Sequence, residues 1–69
     1  MPVVWERGGD ASFATVDCGA DRYYLTGERL PEGGWDWSAW SQRKGWRIVR
    51  NGTAAMAQEA MREAEHAAT

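Results

Sequence analysis

Trp37 and Trp40 stand three residues apart in a run, Trp35–Ser41, that otherwise alternates as a strand does, with Trp35, Trp37 and Ala39 set against Asp36 and Ser38. Successive side chains of a strand leave opposite faces, so this run must present an indole on both sides of any sheet it joins. Trp46 follows five residues after Ser41, which brings four of the chain's five tryptophans within residues 35–46. Tryptophan is costly to leave in water and effective on a binding face. The segment is therefore core, partner-facing surface, or both.

Size limits the means of burying these rings. A chain of 69 residues has room for one domain, 1–69. Chains this short bury only about 60% of their unfolded surface and usually need a disulfide, a metal or a partner subunit. Cys18 is the only cysteine and His66 the only histidine, so neither an internal disulfide nor a Cys/His zinc site can form. No cofactor is expected. An aromatic core and association into a homo-oligomer, a dimer, are the means left.

Turn signals recur at Gly8-Gly9, Cys18-Gly19-Ala20-Asp21, Pro31-Glu32-Gly33-Gly34, Gln42-Arg43-Lys44-Gly45 and Asn51-Gly52. Spacings of about 8–12 residues between such signals predict a β-meander. The strands fall at about 3–7, 11–17, 22–29, 35–41 and 46–50, each with β-branched or aromatic residues. Tyr23 and Tyr24 have opposite parity, which predicts one in the core and one exposed. From Ala54 onward the chain is an uninterrupted run of good helix formers, and Thr53 is a suitable N-cap, which predicts a helix over about 53–67. At 100° per residue Ala54, Ala57, Ala60, Met61, Ala64, Ala67 and Ala68 fall on one side, and Gln58, Glu59, Arg62, Glu63, Glu65 and His66 on the other. An alanine-lined helix approaches a sheet closely, and large rings on the sheet then fill the volume the alanines leave.

The last hairpin leaves one choice open. A three-residue turn after Ser41 puts Trp40, Trp46 and Ile48 on one face, with Trp35 and Trp37 on the other beside Arg47 and Val49. A four-residue turn moves Trp46 under the helix with Trp35 and Trp37 and leaves Trp40 outside with Arg47. One residue of slip reverses the faces. In both cases a single helix covers one face only, so aromatic surface is left for a partner unless a bulge near Ala39-Trp40 hides it.

Charge is unevenly spread around a net of −2. Residues 6–36 carry seven acids and three bases, a net of −4, whereas residues 40–50 carry Arg43, Lys44, Arg47 and Arg50 and no acid. A cationic island in an acidic molecule favours an acidic partner, including another copy of the same chain. Trp40, Arg43, Lys44, Arg47 and Arg50 are accordingly the candidate interaction surface. The same hairpin, Trp40–Arg50, has the parts of a weak single-stranded nucleic-acid binder, with bases stacking on rings and phosphates meeting Arg and Lys. The acidic remainder repels phosphate, and Arg7-Gly8-Gly9 is a single RGG triplet best read as a turn.

Catalytic readings find little to work with. His66 falls on the polar face of the helix, far from any nucleophile the sequence can place beside it. Cys18 lies between Asp17 and Asp21, whose negative charge opposes a reactive thiolate. The acids Asp10, Asp17, Asp21, Glu28, Glu32 and Asp36 do not follow the calcium-loop spacing. No catalytic, cofactor-binding or metal-binding residue is assigned. A lone cysteine suits a reducing compartment, and neither a signal peptide nor a stretch of about 20 apolar residues is visible, so a cytoplasmic protein with no membrane partner is expected.

Trp35-Asp36-Trp37 and Gly52-Thr53-Ala54-Ala55-Met56-Ala57-Gln58-Glu59-Ala60 resemble a type of small bacterial protein often found in prophage regions. Such proteins join an aromatic β-meander to a helix that opens on a Gly-Thr/Ser-Ala pattern. The resemblance implies that architecture and no activity. The expected fold is α+β: an antiparallel β-meander of four or five strands with one C-terminal helix packed across one face. The expected function is a non-enzymatic protein-interaction module, self-associating through an exposed Trp/Arg sheet surface.

Overall fold

A computed structural model describes residues 3–43 and 45–68. Five antiparallel strands form one sheet in sequence order: β1 (Glu6–Arg7), β2 (Ala11–Cys18), β3 (Asp21–Arg29), β4 (Trp35–Ser41) and β5 (Arg47–Ala54). The one helix among the described residues, α1 (Ala57–Ala68), packs against β3, β4 and β5. The α+β meander expected from the turn spacing is the fold.

The tightest connection is the one between β2 and β3. Cys18 pairs with Asp21, so Gly19-Ala20 alone turn the chain. Gly19 has φ 64°, a conformation that costs an L side chain energy and glycine none. At the first hairpin the Gly8 amide donates to the Ala11 carbonyl at 2.7 Å, which puts the tip at Gly9-Asp10, one residue beyond the expected Gly8-Gly9.

The core lies between α1 and one sheet face. Ala14, Leu25, Trp37 and Ala39 from the sheet meet Ala60, Ala64 and Ala68 from the helix, and Trp5, Val16, Tyr23 and Trp35 pack around them. Ala60, Met61, Ala64 and Ala68 are the buried helix residues, which matches the expected apolar side. The small alanines let the helix settle close to the sheet, and Trp37, only 6% exposed, fills the gap that results. Burying a Trp removes about 200 Å² from water, worth roughly 5 kcal/mol as an upper bound. The Trp37 Nε1–H has no hydrogen-bond partner among the described residues, a loss of about 1–3 kcal/mol. Burial outweighs it. Trp5 adds a tie across the edge of this layer, its Nε1–H donating to a Glu65 carboxylate oxygen at 2.7 Å.

Several boundaries differ from expectation, by one residue in β2, in β3 and at the end of the helix, and more elsewhere. Strand β1 covers only Glu6–Arg7 rather than 3–7. The last hairpin turns through five residues, 42–46, because Ser41 pairs with Arg47; Trp46 is in this loop rather than in a strand. The largest difference is at Asn51-Gly52, which does not turn the chain. Asn51, Gly52, Thr53 and Ala54 pair with Ser38, Trp37, Asp36 and Trp35, so β5 runs on to Ala54 and the helix starts at Ala57. Thr53 is thus a strand residue and not an N-cap. The physical reason lies across the sheet. A Cβ placed on Gly52 would lie 3.0 Å from three atoms of the Trp37 indole, so Gly52 serves there as a seat for the ring.

Candidate interaction surface

The sheet has a second face that α1 does not cover. Residues directly opposite each other on paired strands share a face. Pairing Phe13 with Thr26 and Thr26 with Ser38 therefore places all three on the open side, as does pairing Thr15 with Tyr24, Tyr24 with Trp40 and Trp40 with Ile48. Phe13 stacks on Tyr24 with ring centroids 6.1 Å apart, and Tyr24 meets Trp46 edge-on at 6.2 Å. Tyr24, Trp40 and Trp46 line a shallow concavity of about 420 Å³. The result is an aromatic band from β2 across to the final loop, flanked by Val4 at 81% exposure and by Ile48.

Trp40 is anchored by a hydrogen bond within its own face. Its Nε1–H donates to the Ser38 hydroxyl at 3.0 Å, and Ser38 in turn shares a short hydrogen bond with Thr26. These hydroxyls satisfy the one polar group of the indole from within the sheet. The ring then offers apolar surface outward with no donor that a partner must meet.

A β-bulge fixes how the last hairpin divides its residues. Ala39 pairs with Arg50 but Trp40 with Ile48, so Val49 is the extra residue. The bulge does not hide Trp40, which keeps partial exposure. Trp40, Trp46 and Ile48 share the open face, the distribution of the three-residue alternative reached through a longer loop. Arg47 and Arg50 pair with Ser41 and Ala39, both buried on the helix side. The five residues singled out from the sequence are therefore not one patch. Trp40 is on the open face, Arg47 and Arg50 take the other side, Arg43 belongs to the loop, and Lys44 lies outside the described residues. Phe13, Tyr24 and Val4 join the surface without having been singled out. The parity of Tyr24 was readable, and only its registration against Trp40 shows that the two rings adjoin.

The ends of this face differ in charge. Glu28 pairs with Asp36 at one end, two acids directly opposite each other. At the other end Arg22 reaches Asp17 at 2.8 Å, and the Arg43 loop stands beyond it. Behind that end Asp21 accepts a hydrogen bond from the buried Ser41 hydroxyl at 2.6 Å. That bond, together with the Arg22 and Arg43 amides and the Arg43 charge, holds the Asp21 carboxyl below the ordinary carboxylate range against a smaller opposing effect of burial.

Among the described residues no group of three or more His, Cys, Asp or Glu is placed to hold a metal ion, and no helix is long and apolar enough to cross a membrane. No protein-family model matches the chain, and no curated protein or solved structure matches it.

Proposed function

We propose that the protein is a non-enzymatic interaction module that associates with a second copy of itself through the aromatic face of its sheet. The observation that carries this reading is the band Phe13–Tyr24–Trp46 with Trp40 beside it, on the sheet face that the helix leaves uncovered. A face-to-face pair related by a two-fold axis buries both bands at once. With strands of the two copies running in opposite directions, Glu28 and Asp36 of one copy come near Arg22 and the Arg43 loop of the other. This relieves the like-charge pair at each end.

Area sets the strength. A face of five short strands measures on the order of 500 Å². Stable specific complexes bury about 800 Å² per partner. The association is therefore weak and reversible, in the micromolar range or above. Single-stranded nucleic acid fits the arrangement less well, because bases stacked on Trp40 would lie on the side of the sheet away from Arg47 and Arg50. Analytical ultracentrifugation from micromolar to millimolar protein tests the reading. The expected result is a concentration-dependent shift from monomer to dimer, which is lost on replacement of Trp46 by Glu. A monomer throughout that range removes self-association.

A further inference from the structure

The longest free edge of the sheet is that of β5. Strand β1 covers only Ser12 and Phe13 of the β2 edge, while β5 runs for eight residues, Arg47–Ala54, and pairs only with β4. An unpaired strand edge offers a row of backbone donors and acceptors to another chain. Beside this edge lies a groove of about 500 Å³ between β5 and α1, lined by Arg50, Gly52 and Thr53 on one bank and Arg62, Glu63 and His66 on the other, with Trp37 also lining it. Trp37 is buried, yet its Nε1–H has no partner among the described residues. Neither Arg50 nor Arg62 forms an ion pair with a described residue, and Glu63 is the single acid of the groove.

We infer that this edge and groove bind an extended acidic peptide segment by strand addition to β5. Pairing takes place along residues 50–54, past the bulge at Val49, over about 17 Å. Alternate side chains of the incoming strand then point to the helix side, into the groove, where Arg50 and Arg62 receive carboxylates. The intervening side chains lie on the open-face side, next to Asn51 and Thr53. Backbone pairing supplies affinity and the two guanidinium groups select acidic residues at every second position.

A second copy is the poorer occupant of this edge. Antiparallel pairing of two β5 strands brings no carboxylate to the groove, since Arg47–Ala54 holds two arginines and no acid. Strand β1 of another copy offers only two residues. The partner chemistry that fits is a foreign chain carrying alternating carboxylates.

The probe is a blocked peptide of about ten residues alternating Glu and Val, titrated into ¹⁵N-labelled protein and followed by NMR. The same sequence with Lys for Glu, a version N-methylated at alternate amides, and an oligothymidine serve as comparisons. The Glu peptide is expected to shift the amide signals of residues 50–54 and the Trp37 indole N–H. The Lys and N-methylated peptides are expected to leave them in place. The double variant R50E/R62E, both exposed positions, is expected to keep a folded spectrum and lose at least about tenfold in affinity. A variant at Trp46 that no longer self-associates is expected to bind the Glu peptide as before, which separates this site from the aromatic face. The inference is overturned if the Glu peptide moves none of these signals at millimolar concentration. It is equally overturned if Glu and Lys peptides bind alike, or if the oligothymidine binds these residues more tightly than the peptide does.

Discussion

Single residues decide how this small layer closes. Gly52 seats the Trp37 ring, and a methyl group there would meet it at 3.0 Å. Trp37 is buried in one cluster with Ala60, Ala64 and Ala68, which resists a shift of the ring. Gly52→Ala is therefore expected to destabilise the fold by about 1–3 kcal/mol, read as a lower urea midpoint with an unchanged slope. An unshifted midpoint would show that the ring has room to move. Ser41 has an electrostatic part at the other end of β4. Asp21 titrates low mainly because the Ser41 hydroxyl donates to it. A carboxyl depressed in the folded state adds stability at pH values above its unfolded pKa, and that share is lost as pH falls through the folded pKa. Ser41→Ala is expected to bring the Asp21 titration up toward the ordinary range and to shrink the stability lost on acidification. A carboxyl-detected NMR titration reads the first effect and Tm against pH the second.

At the level of elements, the sequence pattern was most legible where one period ran without interruption. Strand β4 has the bounds that its alternation predicted, Trp35–Ser41, and the alanine stripe of α1 is the buried stripe. The join between β5 and α1 was not legible. Asn51-Gly52 followed by Thr53 and a run of alanines has the local chemistry of a turn and a helix cap. Yet pairing with β4 holds these residues extended to Ala54. Local propensity differs by less than about 1 kcal/mol per residue, so ladder hydrogen bonds and a tryptophan needing a seat override it. The closeness of helix and sheet makes a further prediction. Ala64 has no exposed surface. Ala64→Leu would force extra methylene groups into the contact and is expected to cost about 1–3 kcal/mol, although leucine is nearly as good a helix former as alanine. Thermal unfolding followed by circular dichroism checks this. A variant as stable as the parent would mean that the layer is looser than its burial indicates.

The whole molecule is a two-layer structure, 37 × 22 × 18 Å, with one helix for a five-stranded sheet. That ratio leaves one face without a cover, and the rings on that face are available for contact. Trp46 is half exposed and stands in the final loop, so replacing it disturbs little of the core. Trp46→Glu is expected to abolish the concentration-dependent dimer in sedimentation while leaving Tm at low protein concentration nearly unchanged. A variant that still dimerises would move the contact elsewhere on the surface. The candidate site was legible only in part for the same reason. Trp40 was readable as facing away from Trp37 from parity alone. The grouping of Trp40 with the four basic residues came from nearness in sequence, and the bulge at Val49 sends Arg50 to the opposite side.

The amino-acid order alone determined the meander, the helix with its alanine side, and the necessity of indoles on both sides of β4. These follow from periods of 2 and 3.6 residues, which are properties of the backbone and need no knowledge of neighbours. Tertiary structure decided the loop of residues 42–46, the bulge, the extension of β5 to Ala54 and, through them, which rings adjoin and where the arginines point. Each of these depends on how one strand registers against another. Registry is set by the sum of many contacts across the sheet rather than by any short segment.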